Sequence, residues 1–213
     1  MVGTVKVSLV TFTDFACAVG PDRARITARL RRQYEDPDAQ AYAYYRDFDR
    51  ALREGLRTGD LTRQLEQAID ACTRNGQSRH YAALTLGALE LVRKARVRAI
   101  LPVPATFWTH GDLKLTVSPA LGVELAGGKK EAWFLHHKET VLKQTMADAP
   151  LVVLKDALTA QGLDFVPRVV DVRAGKRWGL TRARARSAAM LDGFVAEEAE
   201  AFVRYWERAA LAA

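Results

Sequence analysis

The apolar residues of this chain change their repeat near Ala99, and that change divides the fold. Before it they recur at three- and four-residue steps, as Tyr42, Tyr45, Phe48, Leu52 and Leu56 do, the spacing of a buried helical stripe. After it Leu113, Leu115 and Val117 alternate with Lys114, Thr116 and Ser118, the two-residue period of a half-buried strand. A switch of this kind predicts an α+β fold, with a helical N-terminal half followed by a small mixed sheet flanked by helices.

Local signals fill in that outline. A strand-like run, Val5 to Val10, leads into a T-x-x-D pattern at Thr11 to Asp14 that reads as the cap of a brief helix. A second helix is expected from Asp22 to Tyr34, broken by Glu35-Asp36-Pro37-Asp38 because proline disfavours helical geometry in its predecessor. Further helices are expected over residues 39–57, 61–74 and 78–98, the last apolar on more than one face. Pro102 and Pro104 limit the first extended run to an edge strand. Pro119 interrupts the next run, Leu121, Val123 and Leu125 resume it, and Gly127-Gly128 predicts a hairpin into Glu131 to Lys138, so a meander results. In that last strand Trp133 and Leu135 should face the core, with Phe134 and His136 opposite. A helix interrupted near Pro150, a strand from Phe165 to Val172 and a final helix beginning at Thr181 complete the chain. Any boundary falls near Gly76, giving a helical region 1–76 and a sheet-containing region 77–213, or one continuous domain.

Several function classes lose their support here. Cys17 and Cys72 stand apart in apolar helical contexts, without the clustering of a zinc site or disulfide framework, and read as small buried hydrophobes. No apolar run reaches the roughly 20 residues of a membrane span, and the opening MVGTVKVSLVTF lacks the features of a signal peptide, which predicts a cytoplasmic protein without a membrane partner. GxxxxGK[ST], GxGxxG and GxSxG are absent. His136 and His137 are adjacent on one strand, so they point to opposite faces and do not share an ion; His80 and His110 are isolated.

The order helix, three strands, helix, strand, helix over Ser78 to Trp206, with the stretch DLKLTVSPALGVELAGGKKEAWFLHHK, resembles the core of the PD-(D/E)xK nuclease superfamily, the restriction-endonuclease-like fold. Such enzymes hold Mg²⁺ with an acid on the second strand and another on the third, two residues before a lysine. The resemblance implies Lys138 as that lysine, with Asp112 or Glu124 as the earlier acid and metal ligand. His136 stands where the third-strand acid belongs, and Mg²⁺ prefers hard oxygen donors, so catalytic competence is left open.

Positive charge gives the second functional signal. The chain carries 32 Lys and Arg against 25 Asp and Glu, net +7, and most of the cations are arginine, whose planar fork pairs with phosphate at two points. Arg25, Arg29 and Arg32 fall at helical spacing on one face. From Arg168 to Arg186 there are seven basic residues and one acidic one, with Arg173, Lys176, Arg177, Arg182, Arg184 and Arg186 around Trp178. Cations in the first turns of a helix oppose its dipole, a placement easier to understand with a docked phosphate, and Trp178 offers a ring for stacking on a base. The expected role is nucleic-acid binding, DNA or RNA, as a nuclease-like subunit in DNA processing or defence. The rival expectation is a helical adaptor whose arginine faces bind an acidic protein partner.

Overall fold

The computed structural model describes residues 3–35 and 44–211. In chain order these form β1 (Val5–Ser8), α1 (Leu9–Ala16), α2 (Pro21–Glu35), α3 (Arg46–Thr58), α4 (Leu61–Asp70), α5 (Gln77–Ala95), β2 (Val97–Leu101), β3 (Thr106–His110), β4 (Leu113–Val117) and β5 (Leu121–Leu125). They continue with β6 (Lys130–His136), α6 (Gln144–Ala160), β7 (Val166–Asp171), β8 (Lys176–Trp178), α7 (Arg182–Arg186) and α8 (Ala188–Leu211). The α+β expectation holds. The expected break over residues 36–38 and the start of the third helix, with Tyr42, lie outside the described residues.

The strands form two sheets instead of one meander. β1 runs parallel to β4, which pairs antiparallel with β3, giving the order β1-β4-β3. The larger sheet has the order β2-β5-β6-β7-β8, antiparallel except where β7 lies parallel to β6. Pro119 marks the crossing between them: it cannot donate to a ladder, and the chain leaves β4 there to start β5 in the other sheet. β2 is the edge strand that Pro102 and Pro104 implied.

The larger sheet is covered on both faces, and this explains the unbroken apolar run Ala132 to Leu135. Trp133 and Leu135 join Leu121, Val123, Val170 and Val172 in a core beneath α3, α4 and α5. Ala132 and Phe134 face the opposite way, into a core shared with the three-stranded sheet, α1, α6 and α8. The alternation along β6 is therefore as expected, but Phe134 is buried too, and each fully buried side chain of this size contributes about 1.5–3 kcal/mol. Both cores take residues from either side of Gly76.

Three helix boundaries depart from expectation for local reasons. Ser8, and not Thr11, caps α1, its Oγ accepting from the Thr11 amide at 3.2 Å, so Thr11 and Asp14 lie within the helix. Pro150 sits inside α6 without interrupting it. A proline has no N–H to offer the carbonyl four residues back, and here that Met146 oxygen takes the Cys17 thiol as donor at 3.7 Å. Burial pushes the Cys17 pKa up to about 11, so the thiol keeps the proton it donates. Finally, Thr181 Oγ1 accepts from the Arg184 amide, yet α7 stops after five residues, because the Ser187 amide bonds back only three residues, to Arg184, before α8 begins. On α8 Leu191, Val195, Phe202 and Trp206 are buried, while Phe194 is exposed.

Candidate nucleic-acid interface

The arginine-rich segment forms the end of β7, the strand β8 that sequence reading missed, and α7, and three of its seven basic residues pair with buried acids. Glu131 on β6 is 1% exposed and takes Arg168 Nε at 2.9 Å, Arg177 Nη1 at 2.7 Å and the Trp133 indole N–H at 3.0 Å. Burial by itself raises the Glu131 carboxyl, but these donors outweigh it and hold the pKa below the usual carboxylate value. Arg173 donates to His80 Nδ1 at 3.1 Å, and Arg184 pairs with the buried Asp148 at 3.1 Å. Trp178 is half-buried against the core shared by the three-stranded sheet, α1, α6 and α8, with its Nε1 out of solvent, which reduces the ring area open to a base. Lys176 and Arg186 are exposed, and Arg182 opens α7. The helix-terminus argument also falls, because a five-residue helix carries little dipole. On α2, Arg25 pairs with Asp22 at 3.0 Å in an exposed pair, while Arg29 and Arg32 are exposed with no ion partner among the described residues.

The residues assigned to cleavage do not converge. Asp112 is exposed in the β3–β4 turn of the smaller sheet. Glu124 pairs in register with Lys130, at the start of β6, whereas Lys138 follows the far end of that strand, about 20 Å away at roughly 3.3 Å per residue. Glu124 and Lys138 therefore do not meet at one site. Among the described residues no three His, Cys, Asp or Glu side chains come together at a spacing that would hold one.

Lys138 instead lies in a cleft of about 630 Å³ where the chain passes from one sheet to the other. α1 contributes Val10, Thr13 and Asp14; the crossing contributes Ser118 and Ala120; the end of β6 contributes Phe134 to Lys138; and α3 contributes one wall. Asp14 pairs with Lys138. His137 donates from Nε2 to Asp49 Oδ1 at 2.7 Å and stacks on Tyr45, ring centres 4.5 Å apart. His136 Nε2 bonds the Thr140 carbonyl at 3.1 Å, and burial lowers its pKa below the ordinary imidazole value, which keeps it neutral. Ala120, in the crossing just before β5, lines the cleft, whereas Asp112 and Glu124 do not. Asp14 and Asp49, the carboxylates of the lining, are each engaged by a neighbouring base. These residues do not fit a Mg²⁺ site.

The wall on α3 was not singled out from sequence. Phe48, Ala51, Leu52 and Gly55 turn into the core, which turns Arg46, Arg50 and Arg53, at steps of four and three residues, out to the cleft. Arg53 Nη2 donates to the Ala120 carbonyl at 3.1 Å, an interaction that orients the guanidinium without cancelling its charge. Arg46 has no carboxylate partner among the described residues, and Arg50 shares only the exposed Asp47. An exposed pair of that kind is worth little, so it does not withhold Arg50 from an anion. The arginine spacing was legible, but the aromatic stripe on the same helix drew the reading towards the core.

Compared with protein-family models, with curated proteins and with solved structures, the chain gives no match. Among the described residues no helix is long and apolar enough to cross a membrane.

Proposed function

We propose that this protein binds nucleic acid along the α3 cleft as a nuclease-like subunit of a DNA-processing or defence assembly, without cutting the strand itself. The observation that carries the reading is the row Arg46, Arg50 and Arg53, which meets the cleft with no buried acid to neutralise it, unlike the arginines of the β7–β8 hairpin. The connectivity supports a nuclease-like ancestry. With the β3–β4 excursion set aside, α5, β2, β5, β6, α6 and β7 follow the superfamily's order, with an antiparallel run of three strands and a parallel fourth. His136, where the resemblance places the third-strand acid, and the distance of Asp112 and Glu124 from the cleft lining support binding without hydrolysis.

A salt titration of anisotropy with labelled DNA and RNA tests the proposal. Arg46→Glu with Arg50→Glu is expected to weaken binding at least tenfold and to flatten the logarithmic salt slope by roughly 1.5–2, about 0.7 for each single-strand phosphate and about 0.9 for each duplex phosphate that is no longer neutralised. Lys176→Glu with Arg186→Glu is expected to do much less, and circular dichroism should show both variants folded. Equal losses would mean diffuse attraction to a basic protein. No loss from the cleft variant, with binding to polyglutamate, would transfer the arginines to an acidic protein partner.

A further inference from the structure

The shape of the cleft carries the reading further, to the form of the nucleic acid. Its lining sets the arginines beside an apolar patch: Val10 of α1, half exposed, faces the cleft together with Ala120 and Phe134. A duplex keeps its bases stacked inward and offers a surface of phosphates, so it has nothing with which to cover an apolar patch. A single strand has unstacked bases with apolar faces, and a cleft of about 630 Å³ is in the range of sites that enclose a small organic group. The arginine row spans about 10 Å along α3, seven residues at about 1.5 Å each, long enough to meet more than one phosphate of a single strand. We infer that the cleft takes single-stranded nucleic acid, with phosphates on Arg46, Arg50 and Arg53 and a base turned onto Val10 and Ala120. This rests on the nucleic-acid reading above.

The test compares three probes of equal length by anisotropy on the full chain: a twelve-nucleotide oligo-dT, a blunt duplex, and an abasic strand that keeps the phosphates and loses the bases. The expected result is binding of oligo-dT at least tenfold tighter than of either other probe, with the difference removed in Arg46→Glu, Arg50→Glu. Duplex bound as tightly as oligo-dT, and lost in that variant, would overturn the single-strand inference while leaving the nucleic-acid reading in place. An abasic strand bound as tightly as oligo-dT would overturn the placement of a base on that patch. Failure of all three probes to bind would overturn both readings.

Discussion

Replacing Glu131 with alanine is expected to lower the unfolding free energy by about 3 kcal/mol, the lower end of the cost of breaking a buried ion pair. Three elements meet at this one carboxylate: β6 supplies it, β7 supplies Arg168 and β8 supplies Arg177. Without it two guanidiniums and the Trp133 indole N–H lose their acceptor together. Both arginines retain some solvent access and can partly rehydrate, which places the loss at the low end of the range. Arg177→Glu should be damaging for the same reason, since it sets a second carboxylate against a buried one. The acid dependence has a defined sign. The folded pKa of Glu131 lies below its ordinary 4.5, so its stabilisation is complete above that value and is lost as the pH falls through the lowered one. Denaturant unfolding of wild type and Glu131→Ala from about pH 7 down to about pH 3 should therefore show the difference shrinking at the acid end. A loss below about 0.5 kcal/mol at neutral pH, the range of ordinary surface changes, would contradict this account of the hairpin.

Gly87→Ala is expected to destabilise by about 2–3 kcal/mol, against the usual rule that alanine improves a helix by up to about 1 kcal/mol over glycine. Gly87 is buried on α5, where the backbone of the β7–β8 turn rests directly on the helix. A methyl group there would overlap the Val172 carbonyl oxygen and lie 2.5 Å from that of Arg173. Both neighbours are backbone, so no side chain can swing aside. The turn itself is fixed by Asp171, which accepts from the Ala174 amide at 2.9 Å and from the Leu142 amide at 3.2 Å. Chemical denaturation of the single variant measures the effect, and a gain in stability would show that the hairpin does not pack on α5 as described.

These two sites show where sequence reading reached and where it stopped. The alternation of β4 and β5, the Gly127-Gly128 hairpin and the long apolar helix α5 were legible because each follows from a local period or a local backbone requirement. Gly127 and Gly128 both take positive φ, as that turn demands. The division into two sheets was not legible, because which strand pairs with which depends on pairing between β1 and β4, more than a hundred residues apart. The same limit misled the reading of charge. Seven basic residues with one acid nearby read as a surface, yet their counter-charges, Glu131 and Asp148, lie at least twenty residues away in sequence and were invisible to a local count. Arg46, Arg50 and Arg53 gave the opposite case, a weaker local signal with no buried acid paired to it among the described residues. Lys138, read from the resemblance as a catalytic lysine, lies in the cleft, but the acids assigned beside it were chosen by strand order, which says nothing about which end of a strand they occupy.

The most direct measurement is of where a bound strand touches the chain. An oligonucleotide carrying iodouridine, irradiated in complex with the full protein and followed by peptide mapping, should cross-link to Tyr44 or Tyr45, to the Arg46 to Arg53 face, or to His136 to Lys138. Cross-links concentrated instead on Trp178 and on residues 173–186 would return the interface to the β7–β8 hairpin and contradict the assignment of the cleft.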